Sequence, residues 1–284
     1  MNWDEPINRL ADSLAPPSLS LSAGCGMSAG GARFDPGILF ANGEQGAWYD
    51  PSDLSSMFQD SGGTTPSAVD AVVGLIRDKS GRGNHASQST TASKPVLRQS
   101  GSRYYLEYDG IYDYLATSAI DFSSCSQISV FAGIRKVADT TDCLLELTAN
   151  ADTTNGGFYI VPVLTGQVYK CSVGGSLALK NQRNYGPYPA PVTQVITACF
   201  KAGATGSSSA LSFRVNGSAD EGVNASSAAD SGNLANAAFY IGRRDGTLLP
   251  FTGRVYGMIL RTGVSDTASI NRAEAWVNAK TGAY

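Results

Sequence analysis

Alternation of apolar and polar positions dominates the chain from Phe34 onward. In residues 127–135 (QISVFAGIR) Ile128, Val130, Ala132 and Ile134 repeat with a period of two, the spacing of a strand with one buried side. Aromatic-rich runs precede it at 103–108 and 112–116. Further strand-like runs follow at 143–148, 157–163, 167–173, 192–201, 210–215, 238–242 and 254–261. Clusters of Gly, Asn, Ser and Asp separate them, which is turn chemistry. Many short strands with no long helix between them predict an all-β, two-sheet antiparallel sandwich over residues 34–284, not a βαβ sheet.

Helical spacing is confined to the two ends. Ile7, Leu10 and Leu14 fall at i, i+3 and i+7, with Asn2 and Glu5 spaced as a capping box and Pro16-Pro17 as the stop. This predicts a helix over 2–14. So short a helix is marginal alone in water, so its Ile7/Leu10/Leu14 stripe is expected to dock in a groove of a partner protein. Residues 16–33 are rich in Gly and Ser and keep no period, so 1–33 reads as a helix plus a flexible tethering arm. Gly24–Gly31 lacks the Gly-Lys-Ser/Thr ending of a phosphate loop. At the other end Ile270, Ala273 and Val277 form a second stripe flanked by Trp276. Ser265 or Asp266 is placed to cap that helix, and Lys280 and Gly282 mark its end.

Composition narrows the chemistry. Of 284 residues, 42% are hydrophobic, enough for a core, and only 16% are charged, so the turns stay polar through Gly, Ser, Thr and Asn. Lys+Arg 21 against Asp+Glu 24 gives a net charge of −3, which excludes nucleic-acid binding driven by net charge. No apolar run approaches the ~18 residues of a membrane span, and no signal-peptide pattern opens the chain. A single histidine, His85, excludes sites that need two imidazoles. The cysteines (Cys25, Cys125, Cys143, Cys171, Cys199) are odd in number and lack C-x-x-C spacing, so they read as free thiols. Cys25, alone in the Gly/Ser segment, is the candidate for an inter-subunit disulfide.

Three segments carry a family likeness. Asp78-Lys79-Ser80-Gly81-Arg82-Gly83-Asn84-His85 resembles the D-x-S-G-x-G-N-H turn of concanavalin A-like (laminin-G-like) jelly-roll domains. Tyr108-Asp109-Gly110 with Asp113-Tyr114-Leu115 is similar to that family's F-D-G-x-x-D-Y-L strand pair. Ser212–Gly217, Tyr240-Ile241-Gly242 and Phe251–Val255 look like its closing progression. A fourth stretch, Gly43–Leu54 with Met57–Asp60 and Gly74–Gly81, resembles the opening of jelly rolls found in tailed-bacteriophage virion structural proteins. That resemblance implies a virion component assembled in the host cytoplasm, anchored to capsid, neck or tail proteins by its N-terminal arm and projecting as a homo-oligomer.

Other functions are weighed against this. A host-recognition adhesin would bind surface glycan at the sandwich rim, and the proline-braced run 184–189 offers Tyr185 and Tyr188 for stacking on sugars. Glycan cleavage needs two carboxylates at ~5–9.5 Å. Glu107-x-Asp109 begins the E-x-D-x-x-E signature of glucanases on this fold, but Gly110 follows and the third glutamate is missing. A serine triad is not supported, since no G-x-S-x-G occurs. The laminin-G likeness also implies Ca²⁺, with Asp139, Asp142, Asn150, Asp152 and Asn155 as hard-oxygen donors. The expectation is thus a binding or assembly protein, with no enzyme activity, cofactor or membrane insertion.

Overall fold

A computed structural model describes residues 34–177, 179–229 and 231–284. Ile7, Leu10, Leu14 and Cys25, with the whole expected arm, lie outside the described residues. Within them two antiparallel sheets stack into a sandwich, as the alternation predicts. The first has eight strands. Across it run Ser218–Asp220, Leu211–Val215, Val192–Lys201, Gln127–Lys136, Thr252–Thr262, Arg103–Asp109 and Val96–Ser100, and Gly46–Tyr49 also pairs with Thr252–Thr262. The second has ten. Its order is Val223–Ser226, Lys180–Tyr185, Val168–Gly174, Phe158–Val163, Leu145–Leu147, Phe239–Ile241, Leu115–Thr117, Ala86–Ser87, Leu75–Ile76 and Met57–Phe58. Asn216-Gly217, both with positive φ, turns the hairpin between Leu211–Val215 and Ser218–Asp220, as the dipeptide predicts.

The facing sides of the sheets supply one continuous core. Ile128, Val130, Ala132 and Ile134 pack there with Leu145, Leu147, Phe158, Ile160, Phe200, Phe239 and Leu260. Burying each large side chain contributes about 1.5–3 kcal/mol, so this interface carries most of the stability.

The strand Gln127–Lys136 departs from the expected one-sided burial, because its other face is covered too. Phe131, Val195 and Ile259 meet the C-terminal helix Thr267–Thr281 through Ala273 and Val277. Asp266 caps that helix, accepting the Ser269 N–H, and Gly282 ends it with φ 64°. Trp276 stands edge-on to Trp48 with ring centroids 5.6 Å apart. The contact depends on Gly133, where a Cβ would lie 1.9 Å from Thr281 Oγ1 and 3.0 Å from Val277 Cγ1. Among the described residues no helix is long and apolar enough to cross a membrane.

The D-x-S-G-x-G-N-H turn is a structural clasp. Asp78 Oδ1 accepts the N–H groups of Trp48 and Ser80, both at 2.8 Å, and Oδ2 accepts Ser80 Oγ–H at 2.7 Å and the Asn84 N–H at 3.0 Å. His85 is exposed, and its Nδ1 accepts the Asp78 N–H at 3.0 Å. The only imidazole thus braces a turn.

Candidate functional site

A cleft of about 320 Å³ opens beside the end of strand Arg103–Asp109. Its polar walls are Arg98, Glu107, Asp109, Asp113 and Thr252, with Val96 and Val137 as apolar floor. The turn after Asp109 builds half of it. Gly110 has φ +74°, and a Cβ there would fall 2.0 Å from Thr252 Oγ1, so only glycine fits. Asp109 Oδ1 then accepts the N–H groups of Ile111 (2.7 Å), Tyr112 (3.0 Å) and Asp113 (3.3 Å). Asp113 Oδ2 answers by accepting the Asp109 N–H at 3.0 Å. Two carboxylates four residues apart lock the turn from both sides.

Strand pairing builds the other half. Val96 lies opposite Glu107 and Arg98 opposite Tyr105, which aims the guanidinium along the outer face of the sheet. Arg98 Nε is 2.9 Å from Glu107 Oε2 and its Nη1 is 2.7 Å from Asp70 Oδ1. Arg254 approaches Glu107 Oε1 at 3.5 Å, and its Cζ lies 4.5 Å from the Tyr105 ring centroid.

The electrostatics of the cleft are uneven. Burial, reinforced by the neighbouring Asp109 charge, pushes the Asp113 carboxyl up to about 7. The same burial, with Asp113 close by, holds the Tyr108 phenol well above its ordinary range. Tyr108 Oη has no hydrogen-bond partner among the described residues. Concavity, convergent polar groups and a displaced carboxyl together mark the default binding site of a sandwich like this. Side by side it offers carboxylate acceptors and guanidinium donors, which match the paired hydroxyls of a polyol.

The residues singled out in the sequence fare differently. Tyr185 is corrected: it ends strand Lys180–Tyr185, is 1% exposed and stacks on Phe213 with centroids 4.8 Å apart, so no sugar reaches it. Tyr188 is half-buried and its hydroxyl donates to Asp220 at 2.8 Å, a tie inside the fold. Glu107 and Asp109 do both reach the cleft, but one is held between two arginines and the other caps three amides. The five expected Ca²⁺ donors do not converge. Asp139 pairs with buried Lys136 at 2.8 Å, Asp152 pairs with Arg244 at 2.8 Å, and Asp142 is buried on Thr140 and Thr252. Among the described residues no group of three or more His, Cys, Asp or Glu is placed to hold a metal. Cys125, Cys143, Cys171 and Cys199 are free. Sequence reasoning missed both arginines: Arg98 stands in no motif, and Arg254 fills a variable position of the Phe251–Val255 segment, so only strand register brings them to Glu107.

A second ionic cluster lies on the outward side of the ten-stranded sheet. Glu146, wholly buried, accepts from Arg244 Nε at 2.8 Å and from the Ala151 N–H at 2.6 Å. Arg244 Nη1 also reaches Asp152, and the Tyr159 hydroxyl donates to Asp152 Oδ1 at 3.0 Å. These bonds pin the segments around Asp152 and Arg244 to the sheet.

No protein-family model matches this chain, and no curated protein matches it. Solved structures do. An arabinofuranosidase complexed with arabinofuranosyl-alpha-1,2-xylobiose superposes with a TM-score of 0.57 at 12% identity, over 87% of this chain and 65% of that one. The botulinum neurotoxin type C structure, described through cell entry dependent on two ganglioside molecules, gives 0.53 at 9%, over 84% and 52%. Trypanosoma rangeli sialidase gives 0.51 at 10%, over 84% and 33%. This chain therefore spans less than two thirds of each of these neighbours. At such identities the likeness establishes the sandwich fold.

Proposed function

We propose that residues 34–284 form a non-catalytic carbohydrate-binding sandwich whose ligand occupies the Arg98–Glu107–Asp109–Asp113 cleft. The observation that carries this is the 320 Å³ cleft itself, where donors and acceptors of both charges meet over an apolar floor. The neighbours lend support, since an arabinofuranosyl-xylobiose complex, a sialidase and a ganglioside-dependent toxin are all defined by saccharides. Binding without turnover fits the committed state of the acids. Asp109 spends Oδ1 on three amides, and Glu107 is held by Arg98 and Arg254, which leaves neither poised as a nucleophile. A glycan array with the full chain tests the reading. Selective binding that Arg98→Ala and Glu107→Gln each weaken tenfold or more is expected. Binding to no glycan, or release of reducing ends from one that Glu107→Gln abolishes, would overturn it.

The virion role is a second reading, resting on the resemblance of Gly43–Leu54, Met57–Asp60 and Gly74–Gly81 to the opening of jelly rolls of phage particles. The structural neighbours support the glycan reading and not this one, so the glycan reading takes precedence. The two are compatible in a host-recognition adhesin carried on a particle. Partner virion proteins, self-association and the docking of Ile7, Leu10 and Leu14 belong to this second reading. It predicts that the protein copurifies with particles and that removing residues 1–33 releases it from them.

A further inference from the structure

We propose that Tyr112, on the turn whose Asp109 and Asp113 line the cleft, is a stacking subsite that takes the C–H face of a pyranose ring. This rests on the carbohydrate-binding reading and narrows it. Tyr112 belongs to the turn that Asp109 and Asp113 close, so its backbone is set by two cleft residues. Its N–H is bound to Asp109 Oδ1 at 3.0 Å, and its carbonyl accepts from Arg243 Nη1 at 3.4 Å. Arg243 is fixed in turn, donating through Nη2 to the Thr247 carbonyl at 2.8 Å, and its Cζ lies 5.6 Å from the Tyr112 ring centroid. Yet the residue is 54% exposed. A large aromatic on a clamped backbone, with a cation 5.6 Å from its ring and the residue open to water, offers a plate for a ligand at a low ordering cost of the main chain.

Chemistry selects the occupant. The face of an aromatic ring is negative. A pyranose offers the complement, a patch of weakly positive C–H bonds ringed by hydroxyls. Those hydroxyls find partners on the same turn and beside it. All three turn bonds of Asp109 end on Oδ1, which leaves Oδ2 for a ligand, and Arg98 and Glu107 line the cleft behind. A nucleobase also stacks on aromatics. Its phosphates, however, would meet the Asp109 carboxylate on a chain of net charge −3.

The test uses cellohexaose, xylohexaose and maltohexaose as probes, with titration calorimetry and saturation-transfer NMR on the full chain. The expected result is that at least one probe binds and that saturating the aromatic protons of the wild-type chain transfers to sugar C–H protons. Tyr112→Ala should then weaken that probe tenfold or more and abolish the transfer, whereas Tyr112→Phe, which keeps the ring, should stay within threefold. If Tyr112→Ala binds within twofold of wild type while Glu107→Gln loses the probe, the subsite is wrong and the cleft reading stands. If the wild-type chain binds none of the three at millimolar concentration, the subsite falls, while the cleft reading is judged by the glycan array. Because the transfer is read on wild type, a poorly folded variant does not rescue the idea.

Discussion

Arg244 Nε lies 2.8 Å from Glu146 Oε2, and Glu146 is wholly shut off from water. Burial raises the Glu146 carboxyl, while the Ala151 N–H and Arg244 draw it back down. A buried pair of this kind is held together less by its own attraction than by the cost of leaving one member alone. Arg244→Leu should therefore destabilise the chain by about 3–5 kcal/mol. Adding Glu146→Leu should recover part of that loss. Urea midpoints of the two single variants and the double variant measure the coupling; strict additivity would refute it.

Stability should fall as pH rises from about 4 to 7. Burial is the main reason that Asp113 titrates at about 7 and Asp142 at about 6. An unfolded aspartate titrates near ~3.9. Between those values the folded chain keeps protons that the unfolded chain has released. The stabilisation is thus complete below about pH 4 and is lost as pH rises through 6 and 7. Asp142 Oδ2 accepts from Thr140 Oγ1 and the Thr252 N–H, and Oδ1 has no partner, so Asp142→Asn keeps the oxygen that is used. That variant should be more stable than wild type at pH 8, by roughly 1–3 kcal/mol, and match it near pH 4. Denaturant titrations at the two pH values check the sign.

Gly133→Ala should destabilise by about 1–3 kcal/mol, through overpacking against the C-terminal helix. The new methyl would sit 1.9 Å from Thr281 Oγ1, inside the fold beneath the C-terminal helix. Thr281→Ala removes the obstructing hydroxyl, along with its bond to the Val277 carbonyl. Thermal midpoints should show the double variant above Gly133→Ala alone.

The turn at the cleft separates two roles of one carboxylate. Asp109→Asn keeps an oxygen for the three amides, whereas Asp109→Ala leaves them without a partner. The alanine variant should lose about 1–2 kcal/mol and the asparagine variant much less. If Oδ2 also holds ligand, the asparagine variant loses binding while its melting temperature stays near that of wild type. Calorimetry paired with thermal denaturation distinguishes the two.

Much of the sandwich was legible because its strands obey the period of two. Ile128 to Ile134 announces a strand, and the Asn216-Gly217 hairpin and the Asp266-capped helix are local chemistry that needs no tertiary context. Lys180–Tyr185 was not legible. Its residues read KNQRNY, because the inward position Asn181 meets backbone groups instead of the apolar core: its Oδ1 accepts the Ala228 N–H at 2.8 Å. Without an apolar alternation the segment looked like loop, and Tyr185 was placed at the rim instead of in the core. The cleft was half legible. Asp109, Gly110 and Asp113 lie in one motif, but Arg98 joins Glu107 only through the pairing of Val96–Ser100 with Arg103–Asp109, a register that no single segment encodes.

The helix over Phe131, Val195 and Ile259 also dictates an order of events during synthesis. Until Thr267–Thr281 leaves the ribosome, the eight-stranded sheet shows water an uncovered oily side. Fragments cut short of Thr267 should therefore clump even where every strand is present, which makes the last helix the piece that renders the sandwich soluble.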